Sequence, residues 1–236
     1  KNRNKSFNFE DYGKIKVAFK FSYIGFKYQG LAIQKVTDNT VEHHLFNALK
    51  RLKLIQGDFP KQWGYARCGR TDKGVSALGN VFSVNVRILE KNKPKIQKKE
   101  ENEEESKEEL KIDGSEKAQN SNSVIQAYSQ LLNRVLPEDI RIHGYVEVPP
   151  YFDARFSCIY REYKYFFNLK NMNLDKMKLG AAKLIGSHDF RNFCKKYDEN
   201  QIEENEVQNF FRRIFSISFK PVFGENQPTQ LNMYVC

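Results

Sequence analysis

The feature that most constrains the fold is a run of alternating residues near the start of the chain. Ile15, Val17, Phe19, Phe21 and Tyr23 alternate with mostly polar residues. A period of two is the pattern of a β-strand that buries one face and leaves the other in water. The ordered part of the chain therefore begins with a half-buried strand.

The following segments predict the rest of an α+β fold. Asn39 or Thr40 can cap a helix that begins at Val41, and its apolar residues share one face: Val41, Leu45, Phe46, Leu49 and Leu52. Further helices are predicted at 124–135, ended by Pro137, and at 174–185, ended by Gly186. Strands are predicted at 63–67, 81–86, 140–148 with an irregularity near Gly144, 156–167 and 212–219. This order favours a mixed sheet flanked by helices.

Composition divides the chain into domains. Residues 1–13 are polar and predict a mobile tail. Residues 90–122 contain almost nothing apolar and predict a disordered insertion, with a charged helix over 100–111 as the alternative. Pro149 and Pro150 predict a turn between two halves. The expected domains are an N-terminal lobe at 14–150, interrupted by the insertion, and a C-terminal lobe at 151–236.

The charge is concentrated outside the insertion. The chain has a formal net charge of +10, yet residues 90–117 carry 8 Lys and 10 Asp or Glu, so the remainder has a net charge of +12. A basic fold with 12 Tyr and 19 Phe suits a polyanion that also offers bases for stacking. Net charge that serves solubility alone is the alternative interpretation.

The four cysteines form no C-x-x-C pair, so neither a zinc site nor a disulfide framework is predicted. Reduced thiols are typical of an intracellular protein. No apolar run approaches the roughly 20 residues that a membrane span needs, and no signal peptide is visible. The sequence therefore predicts an intracellular protein without a membrane partner.

One loop concentrates residues with chemical potential. Asp72 lies between Arg70 and Lys73, with Gly69 and Gly74 beside them. The two cations favour the ionised carboxylate, and the glycines permit a tight turn, with positive φ if the turn needs it. Between a short strand and the strand at 81–86, Asp72 would be anchored at both ends and exposed in the middle, where it could serve as a nucleophile. A solvated surface turn is the alternative.

The segment Arg70–Val75 resembles the aspartate loop of the TruA family of tRNA pseudouridine synthases. Other segments match that family in the expected order: Asn39–Phe46, Leu136–Arg141, Phe152–Cys158, Arg161–Phe167 and Gly186–Phe193. The resemblance extends from about Lys14 to Phe215. It is strongest to the eukaryotic branch that modifies uridines 38 and 39 of the anticodon stem-loop.

The resemblance implies a fold, a reaction and partners. The fold would be pseudouridine synthase-like, a mixed, mainly antiparallel sheet in two lobes. The reaction would isomerise uridine to pseudouridine in tRNA, with neither a metal nor an organic cofactor. Members are often homodimers, and the compartment would be the nucleus, the cytoplasm or both.

The resemblance also assigns roles to residues. Asp72 would be the nucleophile, with C1′ and C6 both open as the point of attack. Arg70 would help to hold the site and fill the space left by the flipped nucleotide, and a structural ion pair is its alternative role. Tyr163 would stack on the target uracil, with Tyr165 as its competitor and a core tyrosine as the plain alternative. Several cations could contact phosphates: Lys73, Arg155, Arg161, Lys164, Arg191, Lys195 and Lys196. A structural loop is expected at 188–190.

Beyond Phe219 the resemblance implies another strand, then a helix with an arginine that contacts the aspartate. The segment 224–228 looks like a loop towards a missing element, so the C-terminal lobe is expected to be truncated. Two further functions remain open: a catalytically silent tRNA-binding module of the same fold, and a pseudouridine synthase with broader targets.

Overall fold

Two four-stranded antiparallel sheets organise the computed structural model of this protein. The structure describes residues 7–57, 60–89, 127–169, 171–194, 210–222 and 229–235. The chain divides into two compact units, residues 1–157 and residues 158–236. The α+β class is confirmed, and every strand pair in the described ranges is antiparallel.

The first sheet has the strand order β2-β3-β1-β4. Its strands are β1 (Lys14–Tyr23), β2 (Ala66–Arg67), β3 (Ala77–Arg87) and β4 (Ile140–Glu147). The alternation in β1 is confirmed, because Val17, Phe19, Phe21 and Tyr23 are buried. The predicted irregularity is also present: Lys20 pairs with Gly144 but Phe21 pairs with Ile142, so His143 is an extra residue in β4.

Two helices supply the other side of this core. Helix α1 (Val41–Arg51) begins where predicted, because the Thr40 hydroxyl accepts the N–H of His43 at 3.3 Å. Helix α2 is described over residues 127–133. Its Tyr128 and Leu132 join the predicted apolar face of α1 and the alternate residues of β1, β3 and β4 in one cluster. Val124 and Ile125 of the predicted helix lie outside the described residues, as does the predicted insertion at 90–122.

The structure differs from the predictions at two places in this unit. Trp63 was expected at the start of a strand, but it ends a 3-10 turn (Pro60–Trp63), and β2 contains only Ala66 and Arg67. Residues 7–13, for which the sequence predicts a mobile tail, instead contact the fold: the Arg87 guanidinium lies 4.5 Å from the Tyr12 ring centroid.

The second sheet has the order β5-β8-β7-β6. It comprises β5 (Arg161–Phe167), β6 (Gly186–Asp189), β7 (Phe211–Pro221) and β8 (Thr229–Val235), with helix α3 (Leu174–Ala182) between β5 and β6. The Asn173 side chain caps α3 by accepting the N–H of Lys176 at 2.9 Å. Among the side chains that the structure describes in this unit, which exclude those of β8, Ile214 is the only buried apolar one.

Three predictions for the C-terminal lobe were wrong. The strand expected from Phe156 begins at Arg161, because the Asp153 carboxylate accepts the N–H of Arg155 at 2.7 Å and turns the chain there. The helix ends at Ala182 rather than at residue 185. The expected loop at 188–190 includes the end of β6. Residues 229–235, to which the residue patterns assigned no element, form β8 between β5 and β7, in line with the further strand that the resemblance implies beyond Phe219.

Candidate active site

Asp72 lies in the loop that joins β2 to β3. The Cys68 N–H donates to the Val81 carbonyl at 2.8 Å, so the loop leaves the sheet just after this bond. It turns where the Val75 N–H donates to the Asp72 carbonyl at 3.2 Å, and Gly74 adopts a φ of 78°. The Asp72 side chain is exposed. The predicted strand–loop–strand placement of this aspartate is therefore confirmed.

The end of β1 and the segment that follows it form hydrogen bonds to this loop. The Tyr23 hydroxyl and Thr71 Oγ1 are 2.6 Å apart. The Leu31 N–H donates to the Thr71 carbonyl at 3.1 Å, and the Gly74 N–H donates to the Tyr28 carbonyl at 3.2 Å. Burial raises the pKa of Tyr23, so its hydroxyl keeps its proton and remains available for the bond to Thr71 at neutral pH.

Two glycines allow the close approach between these segments. A Cβ on Gly25 would lie 2.0 Å from the Val75 carbonyl oxygen, which no side chain can tolerate. Gly30 has a φ of 107°, and a Cβ there would lie 3.1 Å from the Thr71 carbonyl oxygen. The Gly25 N–H also donates to Ser76 Oγ at 2.9 Å. The aspartate loop therefore packs directly against the backbone of Gly25 and of Gly30.

Arg70 is fixed through the residues on either side of it. Asn80, a buried residue of β3, donates from its amide to the Gly69 carbonyl at 3.0 Å, and Thr71 is held by Tyr23. Arg70 and Asp72 are exposed, whereas Thr71 between them is partly buried. Both exposed side chains belong to one short stretch of restrained backbone. Within the described ranges, no ion pair joins Arg70 to Asp72.

A buried carboxylate lies behind the strand that leads into the loop. Glu42 of α1 is 1% exposed. It accepts the Tyr65 hydroxyl at 2.6 Å and the Ile33 N–H at 2.9 Å, and it forms an ion pair with Arg67 of β2. Burial, followed by the Glu42 charge, raises the pKa of Tyr65 well above its ordinary range. This group ties α1 to β2 immediately before the aspartate loop.

The sequence analysis missed Tyr23, Asn80 and Glu42 as supports of the site. A signal existed for Glu42, because it precedes Leu45 by three residues and therefore lies beside the apolar face of α1. A charged residue at such a position requires a buried partner. No comparable signal pointed to Tyr23 or Asn80, whose partners in the loop are distant in sequence.

The loop is arranged for an exposed, reactive carboxylate. No hydrogen bond or ion pair to the Asp72 carboxylate occurs among the described residues, so its oxygens face water. The restrained backbone fixes where those oxygens are presented. A carboxylate presented in this way can attack an electrophilic carbon of a bound substrate.

Tyr163 lies on β5 in the second unit, where its backbone pairs with Met233 of β8. Its side chain is 46% exposed, and that of Tyr165, two residues along the same face, is 67% exposed. This exposure argues against the alternative role of Tyr163 as a core tyrosine. The structure brings Arg70 and Asp72 together in one loop, and it places Tyr163 in the other unit.

The cations predicted to contact phosphate have different local partners. Arg191 forms an ion pair with Asp189 at 3.0 Å, which reduces its charge towards an outside anion. The Arg155 guanidinium lies 5.3 Å from the Phe156 ring centroid. Lys73 is exposed beside Asp72. Lys195 and Lys196 lie outside the described residues.

The sequence of this chain is similar to those of several known proteins. No protein-family model matches it. It is 37% identical over 221 residues to the tRNA pseudouridine(38/39) synthase of Saccharomyces cerevisiae, covering 92% of this chain and 44% of the yeast protein. It is 40% identical over 212 residues to the human tRNA pseudouridine(38/39) synthase, covering 90% of this chain and 40% of the human protein.

The similarity extends to archaea. The tRNA pseudouridine synthase A of Methanosarcina acetivorans is 32% identical over 185 residues, which are 78% of this chain and 55% of the archaeal protein. The chain is therefore a homologue of the TruA-type tRNA pseudouridine synthases, as its motifs indicated. Its eukaryotic relatives named above are the synthases for positions 38 and 39. The chain spans about two fifths of the length of these eukaryotic relatives.

Proposed function

We propose that this protein is a tRNA pseudouridine synthase, an isomerase that converts uridine to pseudouridine at position 38 or 39 of the anticodon stem-loop. The observation that carries the proposal is the exposed Asp72 on a restrained loop, in a chain related to enzymes of that name. We further propose that it acts inside the cell, in the nucleus or the cytoplasm, and that it forms a homodimer.

In this proposal Asp72 supplies the nucleophile. The C1′–N1 bond of the target uridine breaks, the uracil rotates, and a C5–C1′ bond forms in its place. C5 then loses its proton, and N1 gains one, so the product is an isomer of the substrate. The carboxylate attacks C1′ or C6 only in its ionised form, and the exposed position of Asp72 leaves its oxygens accessible to the substrate.

Tyr163 and Arg70 would prepare the substrate. Extracting a uridine from its stack costs a few kcal/mol. Stacking on an aromatic ring such as Tyr163 returns about 1–3 kcal/mol per base, and the half-exposed position of this ring supports that role. Arg70 would occupy the space that the flipped nucleotide leaves. The Tyr163 hydroxyl would assist removal of the C5 proton.

The direct test is modification of an unmodified tRNA that carries U38 and U39. Pseudouridine is mapped by primer extension after carbodiimide treatment, for the wild type, Asp72→Ala and the control Asp38→Ala. Asp38 is an equally exposed carboxylate of the same unit, paired with His43. We expect a stop at position 38 or 39 for the wild type and the control, and none for Asp72→Ala, with tRNA binding preserved in all three.

Two results would change the assignment. Stops that persist in Asp72→Ala would exclude this residue as the nucleophile. Binding of tRNA without modification by the wild type would favour a silent tRNA-binding module, and stops at other positions would favour a synthase with broader targets. Comparing Tyr163→Phe with Tyr165→Phe separates the two candidate tyrosines, because only the functional hydroxyl should lower the modification rate when removed.

A further inference from the structure

The first unit contains a cavity that the proposed reaction does not use. Its volume is about 400 Å³, and it lies at the start of β1, whereas the aspartate loop is fastened at the end of that strand. Lys16 in its wall and Tyr23 under the loop are seven residues apart on β1. At about 3.3 Å per residue, this separation corresponds to roughly 23 Å. The cavity is therefore a separate site.

Half of the residues that line this cavity are apolar, and the charged residues of the polar half are all cationic. Lys14 lies opposite Arg87 in the β1–β3 register, and Lys16 lies opposite Asn85, so these side chains meet on adjacent strands. All four line the cavity, together with the amides of Gln56 and Gln62. No aspartate or glutamate is among its described lining residues. The wall thus offers hydrogen-bond donors and positive charge, and no carboxylate is part of it.

Lys16 is the cation of this wall whose surroundings most favour a bound anion. Its ammonium group donates to the Gly64 carbonyl, and among the described residues it forms no ion pair. Burial lowers the pKa of Lys16, and the charge of Asp153 opposes this only in part. A partly buried cation with incomplete compensation, such as Lys16, is stabilised by a ligand of opposite charge.

The cavity is also preformed. Arg87 donates from Nε to the Lys53 carbonyl at 2.8 Å and from Nη1 to the Ile88 carbonyl at 3.0 Å. The Trp63 indole is buried and donates to the Gln56 carbonyl at 2.8 Å. Side chains fixed in this way lose little conformational freedom when a ligand binds.

We propose that this cavity is a binding site for a phosphate-bearing nucleotide unit, and that the unit is part of the RNA backbone. A phosphate offers several acceptor oxygens to an ammonium, a guanidinium and amides at once. The volume falls in the range of roughly 300–1,000 Å³ that is usual for ligand pockets, so it has room for a ribose beside the phosphate. The RNA part of this inference rests on the proposed function. The site would hold the RNA away from its target uridine.

The only tryptophan of the chain provides the test, because Trp63 lines the cavity. Trp63 fluorescence of the 236-residue chain is recorded during titration with AMP, with adenosine as the ligand that lacks the phosphate. We expect a saturable change with AMP alone. In Lys16→Gln the affinity should fall about tenfold or more, because a charge-assisted hydrogen bond to the phosphate is lost. Lys14→Gln, an exposed change that leaves the wall packed, should weaken AMP binding several-fold.

Lys20→Gln is the matched control, since Lys20 is exposed four residues further along the same face of β1. It should bind AMP like the wild type. Equal responses to AMP and adenosine, or equal losses in Lys16→Gln and Lys20→Gln, would overturn the phosphate site.

Competition identifies the source of the phosphate. Unmodified tRNA should displace AMP from the wild type, and Lys16→Gln should lower the salt dependence of tRNA binding by about one phosphate contact. Binding of AMP that tRNA cannot displace would overturn the RNA assignment and identify a free nucleotide as the ligand. The AMP titration does not depend on catalysis. Its result can therefore be interpreted even if the modification assay fails.

Discussion

The four-stranded antiparallel sheets of residues 1–157 and residues 158–236 differ sharply in how much of their surface is covered. In the first unit, alternate residues of β1 and β3 are fully buried, with Val17, Phe19, Phe82 and Val84 each at 0% exposure. In the second unit, the aromatic residues of β5 remain largely exposed, and helix α3 contributes no buried residue. The first sheet therefore has a closed core, whereas the described side chains of β5 and α3 in the second unit are not buried.

This difference separates strand pairing, which both sheets have, from the burial of apolar surface, which the described side chains show mainly in the first unit. Both sheets pair neighbouring strands through backbone hydrogen bonds, yet most of the stabilising free energy comes from apolar surface removed from water. The first unit obtains this from α1 and α2. Large exposed apolar areas, such as that of the second sheet, are typical of surfaces that bind a partner or a ligand. Tyr163, the proposed stacking residue, lies on such a surface.

The largest effect is expected when the free energy of unfolding is compared between Phe19→Ala and Tyr165→Ala. The Phe19 ring is buried, with its centroid 5.0 Å from that of Phe82. Its loss should lower the free energy of unfolding by about 3–5 kcal/mol because it leaves a cavity. Tyr165→Ala should change it by less than about 0.5 kcal/mol. Urea unfolding followed by Trp63 fluorescence and by circular dichroism measures both; similar costs would mean that the second sheet is covered after all.

A smaller effect is expected where the core of the first unit meets the aspartate loop. Gly25→Ala places a methyl group against the Val75 carbonyl, and such overpacking costs roughly 1–3 kcal/mol. Because the displaced backbone leads back to Asp72, we also expect at least a tenfold loss of pseudouridine formation. Gly144→Ala is the control, since a Cβ there has no neighbour within 4 Å. Equal activity of the two variants would show that the loop adjusts without this contact.

The smallest effect is a dependence of stability on alkaline pH. Burial is the main cause that raises the pKa of Tyr128 in the folded protein to about 12, against about 10 in an unfolded chain. The unfolded state therefore ionises first, and the stability that Tyr128 contributes is complete below pH 10 and is lost as the pH rises towards 12. The urea midpoint should fall across this range, and it should fall less steeply in Tyr128→Phe. An identical slope would show that other tyrosines cause the effect.

Sequence patterns predicted correctly those secondary-structure elements that depend on interactions between neighbouring residues. The alternation in β1 and the cap of α1 depend on neighbouring residues, so both could be read from the sequence. The exposed position of Asp72 followed from a short turn between two strands. These predictions required no knowledge of contacts between distant segments.

The remaining features depend on distant partners. Residues 229–235 form β8, which pairs with β5 on one side and with β7 on the other, so its place in the sheet depends on strands that are distant in sequence. The supports of the aspartate loop also come from afar, since Tyr23 and Thr71 are 48 residues apart and Gly25 and Ser76 are 51 apart. The packing of residues 7–13 beside Arg87 likewise depends on a contact that no local pattern encodes.

The outer position of β5 has a practical consequence for anyone who purifies this chain. In the described sheet β5 is an edge strand, and an edge strand with free hydrogen-bonding groups can recruit a second chain. Its first residues include Arg161, Glu162 and Lys164, whose charges discourage such pairing. Residues 165–167 are Tyr-Phe-Phe and carry no charge. Self-association should therefore begin at this end of β5, and lysine substitution of Phe166, which is exposed, is the simplest change to improve solubility.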